Sequence, residues 1–253
     1  MCTFVILRRP GHDWPVLIGA NRDEMIDRPW EPPARHWPDR PEVIAGRDVL
    51  AGGSWLGVND FGVVAGILNR HGSLGPAAGQ RSRGELVLEA LDHADAKDAA
   101  AALERLEPAA YRTFNLIVAD NRDAYWLRHA DPTGTLPITA TALPTGLAMI
   151  AAGDLNDMET PRMRRYRPLF ENAAPPDPSH DDWASWEALL ADDRFAAAEG
   201  PQGAMRFDTG RGFATISSAL IALNAADRAE LKPRFRFAAY HPAPLPWRDV
   251  LAS

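Results

Sequence analysis

The chain opens on an apolar stretch, Cys2-Thr3-Phe4-Val5-Ile6-Leu7, too short for a helix and rich in β-branched residues, which predicts a strand. Pro10 and Gly11 mark a turn, and Val16 to Ala20 is a second apolar run, so the two predict a β-hairpin. With the turn centred near Pro10 to His12, the numbers of facing residues sum to about 22 to 24 in an antiparallel ladder. Cys2 therefore falls beside Ala20, Asn21 or Arg22, next to the polar cluster Asn21-Arg22-Asp23-Glu24.

Arg28 to Pro41 holds five prolines, which forbid a helix or a central strand and predict an extended loop. Asn59-Asp60-Phe61-Gly62 separates two apolar runs and predicts a second hairpin ending near Asn69. Ser82-Arg83-Gly84-Glu85 matches a capping box, predicting a helix to about His93 with Leu86, Val87, Ala90 and Leu91 on its apolar face. Asp95 opens an Ala-rich helix that stops before Pro108. Strands are predicted at Phe114 to Ala119, Ala124 to Arg128, Leu147 to Ala152, Phe213 to Leu223 and Arg234 to Tyr240, with helices from Pro161 to Asn172 and Asp181 to Ala191. Strands at both ends with helices between them give an α+β layered domain rather than alternating βαβ units. No linker suggests a boundary, so residues 1–253 read as one domain.

Composition narrows the function classes. A formal net charge of −7 without a basic stripe argues against nucleic-acid binding. No apolar run approaches a membrane span and no signal peptide is visible, so a cytoplasmic protein without membrane insertion is expected. A single cysteine excludes an internal disulfide and a Cys-rich zinc site, and no His pair has helical metal spacing. No metal or cofactor is expected.

That single cysteine stands at position 2. Removal of the initiator methionine, usual before so small a residue, would put a thiol and a free α-amine on one residue. An α-amine titrates near 7.7–8.0, so it can act as general base for the thiol without a histidine. The competing reading is a buried, inert thiol. In the neighbouring cluster, Asp23 could orient the amine while Arg22 favours a thiolate or binds an anionic group, with Asn21 and Glu24 flanking; the competing reading is a solvated turn. Asn69 and Asn156, at predicted strand ends, could donate to an oxyanion or simply cap turns. Arg22, Arg70 and Trp55 hint at an anionic or aromatic acyl group. Gly52-Gly53-Ser54-Trp55-Leu56-Gly57 lacks the spacing of a dinucleotide loop. Trp183 and Trp186 read as core.

These motifs in order resemble the NRDE-motif proteins, the transport and Golgi organization family. The match comprises Met1-Cys2, Ala20 to Glu24 with Arg28-Pro29, Ala45 to Asp48, Gly52 to Val58, Leu68-Asn69, Ser82 to Leu86 and Phe114 to Leu116. It thins to Leu155-Asn156 and Pro161-Arg162, and the chain departs from the pattern at Ser54, Leu68 and Gly210-Arg211-Gly212. The resemblance implies an α+β, four-layer αββα sandwich of the Ntn-hydrolase type with two mainly antiparallel sheets. It also implies Cys2 as nucleophile, Arg22 and Asp23 beside its thiol and amine, and Asn69 and Asn156 as oxyanion-side amides. The expected activity is hydrolysis of an amide C–N bond, or a thioester, of a small acyl substrate. The rival expectation from the same resemblance is a non-enzymatic carrier of haem or of an acyl-CoA-like lipid.

Overall fold

In the computed structural model, which describes residues 2–228 and 230–251, the first two strands are Thr3–Arg8 (β1) and Val16–Met25 (β2). They pair antiparallel from Thr3 opposite Asn21 to Arg8 opposite Val16. Facing numbers thus sum to 24, and the continuation of the ladder sets Cys2 opposite Arg22. The apolar run was expected to stop at Ala20, yet β2 continues through Asn21, Arg22 and Asp23, all buried. This cluster is sheet and not a solvated turn.

Contacts divide the chain into two compact units, one formed by the chain up to Arg28 together with Pro144 onward, the other by Pro29–Leu143. The first unit adds Gly146–Ile150 (β10), Phe213–Leu223 (β11), Arg234–Ala239 (β12) and Leu245–Asp249 (β13) to the hairpin. Its antiparallel sheet runs β10-β1-β2-β11-β12-β13, so strands from the two ends of the sequence meet at its centre. Helices Pro161–Asn172 (α3) and Ala184–Leu190 (α4) belong to this unit. Val5, Leu17, Met149 and Leu220 pack with Met163, Tyr166, Phe170, Trp183, Trp186 and Leu190 from this helical side. The two tryptophans are core, as the amphipathic pattern predicts. By strand alternation Thr3, Asn21 and Asp23 point to this helical face, while Cys2, Phe4, Ala20 and Arg22 point to the other.

The second unit is a seven-stranded antiparallel sheet in sequential order: Trp30–Ala34 (β3), Val43–Asp48 (β4), Leu56–Asn59 (β5), Val64–Asn69 (β6), Phe114–Ala119 (β7), Ala124–His129 (β8) and Thr139–Ala142 (β9). Helices Gly84–Leu91 (α1) and Ala96–Leu103 (α2) bury Leu86, Val87, Ala90, Leu91, Ala99 and Leu103 against Val43, Ala45, Leu116 and Leu127. The proline-rich segment contributes a strand after all, at the sheet edge, and the ladder to β4 breaks between Glu31 and Ala34, where Pro32 and Pro33 sit. An edge strand with an interruption is where missing N–H groups are tolerated.

The capping box does not form. Residue 83 caps α1 without a side-chain bond, the Ser82 hydroxyl accepts from the Gly84 N–H at 3.2 Å, and Glu85 turns to the Arg81 guanidinium at 2.6 Å. A charged partner one turn back outcompetes the reciprocal cap. At α2 the Asp95 carboxylate caps as expected, accepting from the Asp98 N–H at 2.8 Å. Among the described residues no helix is long and apolar enough to cross a membrane.

Candidate active site

The thiol of Cys2 lies where the β1–β2 ladder runs out. Its Sγ accepts from the main-chain N–H of Asp23 at 3.4 Å and faces the Asp23 carbonyl oxygen at 3.5 Å. Cys2 is partly exposed as a residue, but its sulfur is enclosed. Burial pushes the thiol pKa up, and the Asp23 carboxylate adds to that shift. At neutral pH the sulfur is therefore a thiol, and attack on a carbonyl requires a base.

Asp23 turns its carboxylate to the opposite, helical face. One oxygen accepts from Arg162 at 2.8 Å and the other from the Thr215 hydroxyl at 2.8 Å. Arg162 also donates to the Thr3 hydroxyl at 2.9 Å, and its guanidinium lies over the Phe207 ring at 5.1 Å. The Arg162 and Asp23 side chains are 2% and 0% exposed, which makes this a dry ion pair. Removing one member of such a pair typically costs about 3–5 kcal/mol, since the other charge is left buried. A register shift in β11 between Thr215 and Ser217, opposite Asp23 and Arg22, coincides with the point where Thr215 reaches the carboxylate.

Asn21, two residues back on the same face, is fully engaged. Its amide nitrogen donates to the carbonyls of Leu190 and Met205, both at 2.9 Å, and its oxygen accepts from Ser218 at 2.6 Å. The Ser218 hydroxyl also meets the Tyr240 hydroxyl at 2.9 Å, and burial raises the Tyr240 pKa. Asn21 is thus a buried brace that ties β2 to the carbonyls of Leu190 and Met205 and to Ser218. Arg22 is buried on the face of Cys2, with the Glu24 carboxylate 3.9 Å away; Glu24 is also 3.8 Å from Arg28.

Asn156 has a left-handed backbone (φ 57°). Its N–H donates to the Met149 carbonyl at 2.8 Å, and its side-chain oxygen accepts from the Met149 N–H at 2.9 Å and from Arg167 at 3.3 Å. These bonds fix the orientation of the Asn156 amide. Met149 pairs with Val5, so Asn156 stands level with Val5 rather than with Cys2. The remaining candidates lie in the second unit. Asn69 closes β6 opposite Phe114; Arg70 donates to the Asn115 side-chain oxygen at 2.7 Å, which also accepts from Trp126 at 3.1 Å. Trp55 lies across Gly46 and meets Trp30 edge to face at 5.8 Å.

The sequence profile described as Transport and Golgi organisation 2 matches residues 1–199. The chain belongs to this family. No curated relative matches it. Among solved structures, this family member is similar to the Caenorhabditis elegans orthologue of N-acylethanolamine-hydrolyzing acid amidase, with 12% identity and TM-score 0.58 over 90% of this chain and 96% of that one. It is also similar to penicillin V acylase from Agrobacterium tumefaciens, with 14% identity and TM-score 0.52 over 99% of this chain and 86% of that one. A mutant of the conjugated bile acid hydrolase from Clostridium perfringens gives 10% identity and TM-score 0.53 over 99% and 92%. Likeness at these identities establishes the fold, and it is the α+β, Ntn-hydrolase-type fold that the motifs imply.

In this family member, the cluster around Asp23 contains residues that sequence reasoning did not assign. Arg162 was visible only as part of a thinning motif. Thr215, Ser218 and Tyr240 lie beyond the profile match and inside or beside an apolar strand. The one available signal was polarity within that run, Thr215, Ser217 and Ser218 in an otherwise apolar β11, since buried hydroxyls need partners.

Proposed function

We propose that this protein is an N-terminal-nucleophile hydrolase that uses Cys2 to cleave the amide C–N bond of a small acyl substrate. The observation that carries the reading is the seat of the Cys2 thiol, held by the main chain of Asp23 at the open end of the β1–β2 ladder. The fold, shared with amidases and acylases, supports it. Met1 lies outside the described residues, and its removal is part of the proposal.

The mechanism needs no preformed thiolate, because a general base can take the proton as sulfur attacks. As sulfur attacks the carbonyl carbon, its proton passes to the α-amine of Cys2, which then delivers it to the departing amine as the C–N bond breaks. The resulting thioester is hydrolysed by water activated by the same amine, regenerating the thiol. A thioester substrate would follow the same course with a thiol leaving group. The developing oxyanion needs N–H donors, and within the unit that holds Cys2 the sequence motifs give that part to Asn156.

The test is an intact mass of the purified protein before and after a thiol-directed acylating probe, followed by a screen of N-acyl amides. Loss of Met1, a single adduct that disappears in Cys2→Ala, and turnover abolished by the same substitution are the expected results. Retained Met1, or turnover unchanged in Cys2→Ala, would overturn the proposal. A saturable spectral shift with haemin in a protein that never turns over would favour the carrier reading instead.

A further inference from the structure

Arg162 occupies the first turn of α3, after the N-cap Thr160 and Pro161. A cation there opposes the helix dipole, and an arginine buried to 1% exposure is costly to desolvate. Local preference alone would not place it at this position, and what offsets the conflict is Asp23, which it reaches at 2.8 Å. Asp23 is two-sided. Its carboxylate points to the helical face and is gripped by Arg162 and Thr215, while its N–H and C=O point along the sheet to the Cys2 sulfur. The same Arg162 nitrogen donates to Thr3, the residue bonded directly to Cys2. One guanidinium therefore ties together the residue after the nucleophile and the residue that faces its sulfur.

We propose that Arg162, with Thr215 as its second point of grip, is a positioning residue for the Cys2 nucleophile, acting through Asp23 and Thr3. This inference rests on the hydrolase reading above. Fixing the carboxylate on the helical face fixes the peptide groups that hold the sulfur, and pairing it with a cation limits the negative charge felt at the thiol. The other charged groups beside the thiol in this unit are Arg22 and Glu24 on β2, joined by Arg28 beyond it.

The experiment is the rate of Cys2 alkylation by iodoacetamide from pH 6 to 10, on protein shown by mass to lack Met1. It compares the wild type with Arg162→Met, Arg162→Lys, Thr215→Val and the double variant Asp23→Asn/Arg162→Met. In Arg162→Met the uncompensated carboxylate is expected to raise the apparent thiol pKa by about one unit. Alkylation at pH 8 then slows about tenfold, with the high-pH plateau kept within about twofold. Arg162→Lys and Thr215→Val should shift the profile the same way by less, and the double variant, which removes both charges, should move it back toward the wild type. A merely structural role would lower the high-pH plateau rather than shift the titration beneath an unchanged plateau. If Arg162→Met does not fold, the lysine and valine variants decide: profiles superimposable on the wild type overturn the inference. Superimposable profiles beside a reactive wild-type thiol remove only the role of Arg162, whereas an unreactive thiol in the processed wild type removes the hydrolase reading as well.

Discussion

His129 shows how strongly one buried side chain can couple this protein to pH. It ends β8 at 1% exposure, with its Nε2 3.2 Å from the Tyr111 carbonyl and its ring 5.6 Å from that of Phe114. Its Nδ1 has no hydrogen-bond partner among the described residues, so the folded protein holds a neutral imidazole donating through Nε2. Burial pushes its pKa below the ordinary 6.5, outweighing the Tyr111 carbonyl, which acts the other way. An unfolded chain binds a proton at this residue near pH 6.5, while the folded one resists doing so. Stability is therefore intact above that pH and falls as pH drops below it, until the folded pKa is reached, at up to about 1.4 kcal/mol per pH unit. His129→Gln keeps a donor for Tyr111 without the titration, so its urea unfolding free energy should lose that part of the slope between pH 6.5 and 5. Equal slopes in the two proteins would show that the imidazole charges without penalty in the fold. At this scale sequence reading reaches its limit quickly. Cys2 and the Asn21 to Glu24 cluster were legible because a short hairpin joins them, whereas the partners of Asp23 stand 139 and 192 positions away and obey no local rule.

At the scale of elements, periodicity located nearly every strand and helix that carries a continuous apolar stripe, including β7, β11 and α3. It failed where tertiary context sets the outcome. β3 exists because a proline-bearing segment can still pair along a sheet edge, and the α1 cap is lost to the Arg81–Glu85 pair. The Gly52-Gly53-Ser54-Trp55-Leu56-Gly57 segment, unassigned by spacing, is explained by close approach. A Cβ on Gly53 would lie 2.4 Å from the Gly84 carbonyl carbon and 2.6 Å from its oxygen, where the loop before β5 meets the start of α1. Backbone cannot yield there as a side chain could. Gly52 has open space around it but a φ of +74°. Gly53→Ala should therefore cost about 3 kcal/mol, the upper end for overpacking, and Gly52→Ala about 1–2 kcal/mol for left-handed strain alone. Thermal unfolding of both variants checks the order, and a larger loss in Gly52→Ala would contradict this account of the glycine-rich segment.

For the whole molecule, the decisive pairing is the least local one. In the first unit β2 lies between β1 and β11, and Asp23 faces Thr215. The family-profile match ends at residue 199, before β11 begins at Phe213, so the matched segment alone cannot complete this sheet. A chain cut after residue 199 would leave β2 as an edge exposing the main chain of Leu17 to Asp23. It would also strip Asp23 of Thr215, and Asn21 of Ser218. An unprotected apolar edge is a template for aggregation, and Arg162 alone would hold a carboxylate no longer enclosed. The 1–199 fragment is therefore expected to be insoluble or, where it stays in solution, to alkylate at Cys2 with the pH profile of an unpositioned thiol, near that of a free cysteine at about 8.5. Soluble fragment with the full-length alkylation profile would mean that β11 is dispensable for seating the nucleophile. The late strands are the natural place to look for that dependence because the closing of β2 against β11 brings together the two ends of the sequence, and the thiol is seated at the end of β2 where they meet.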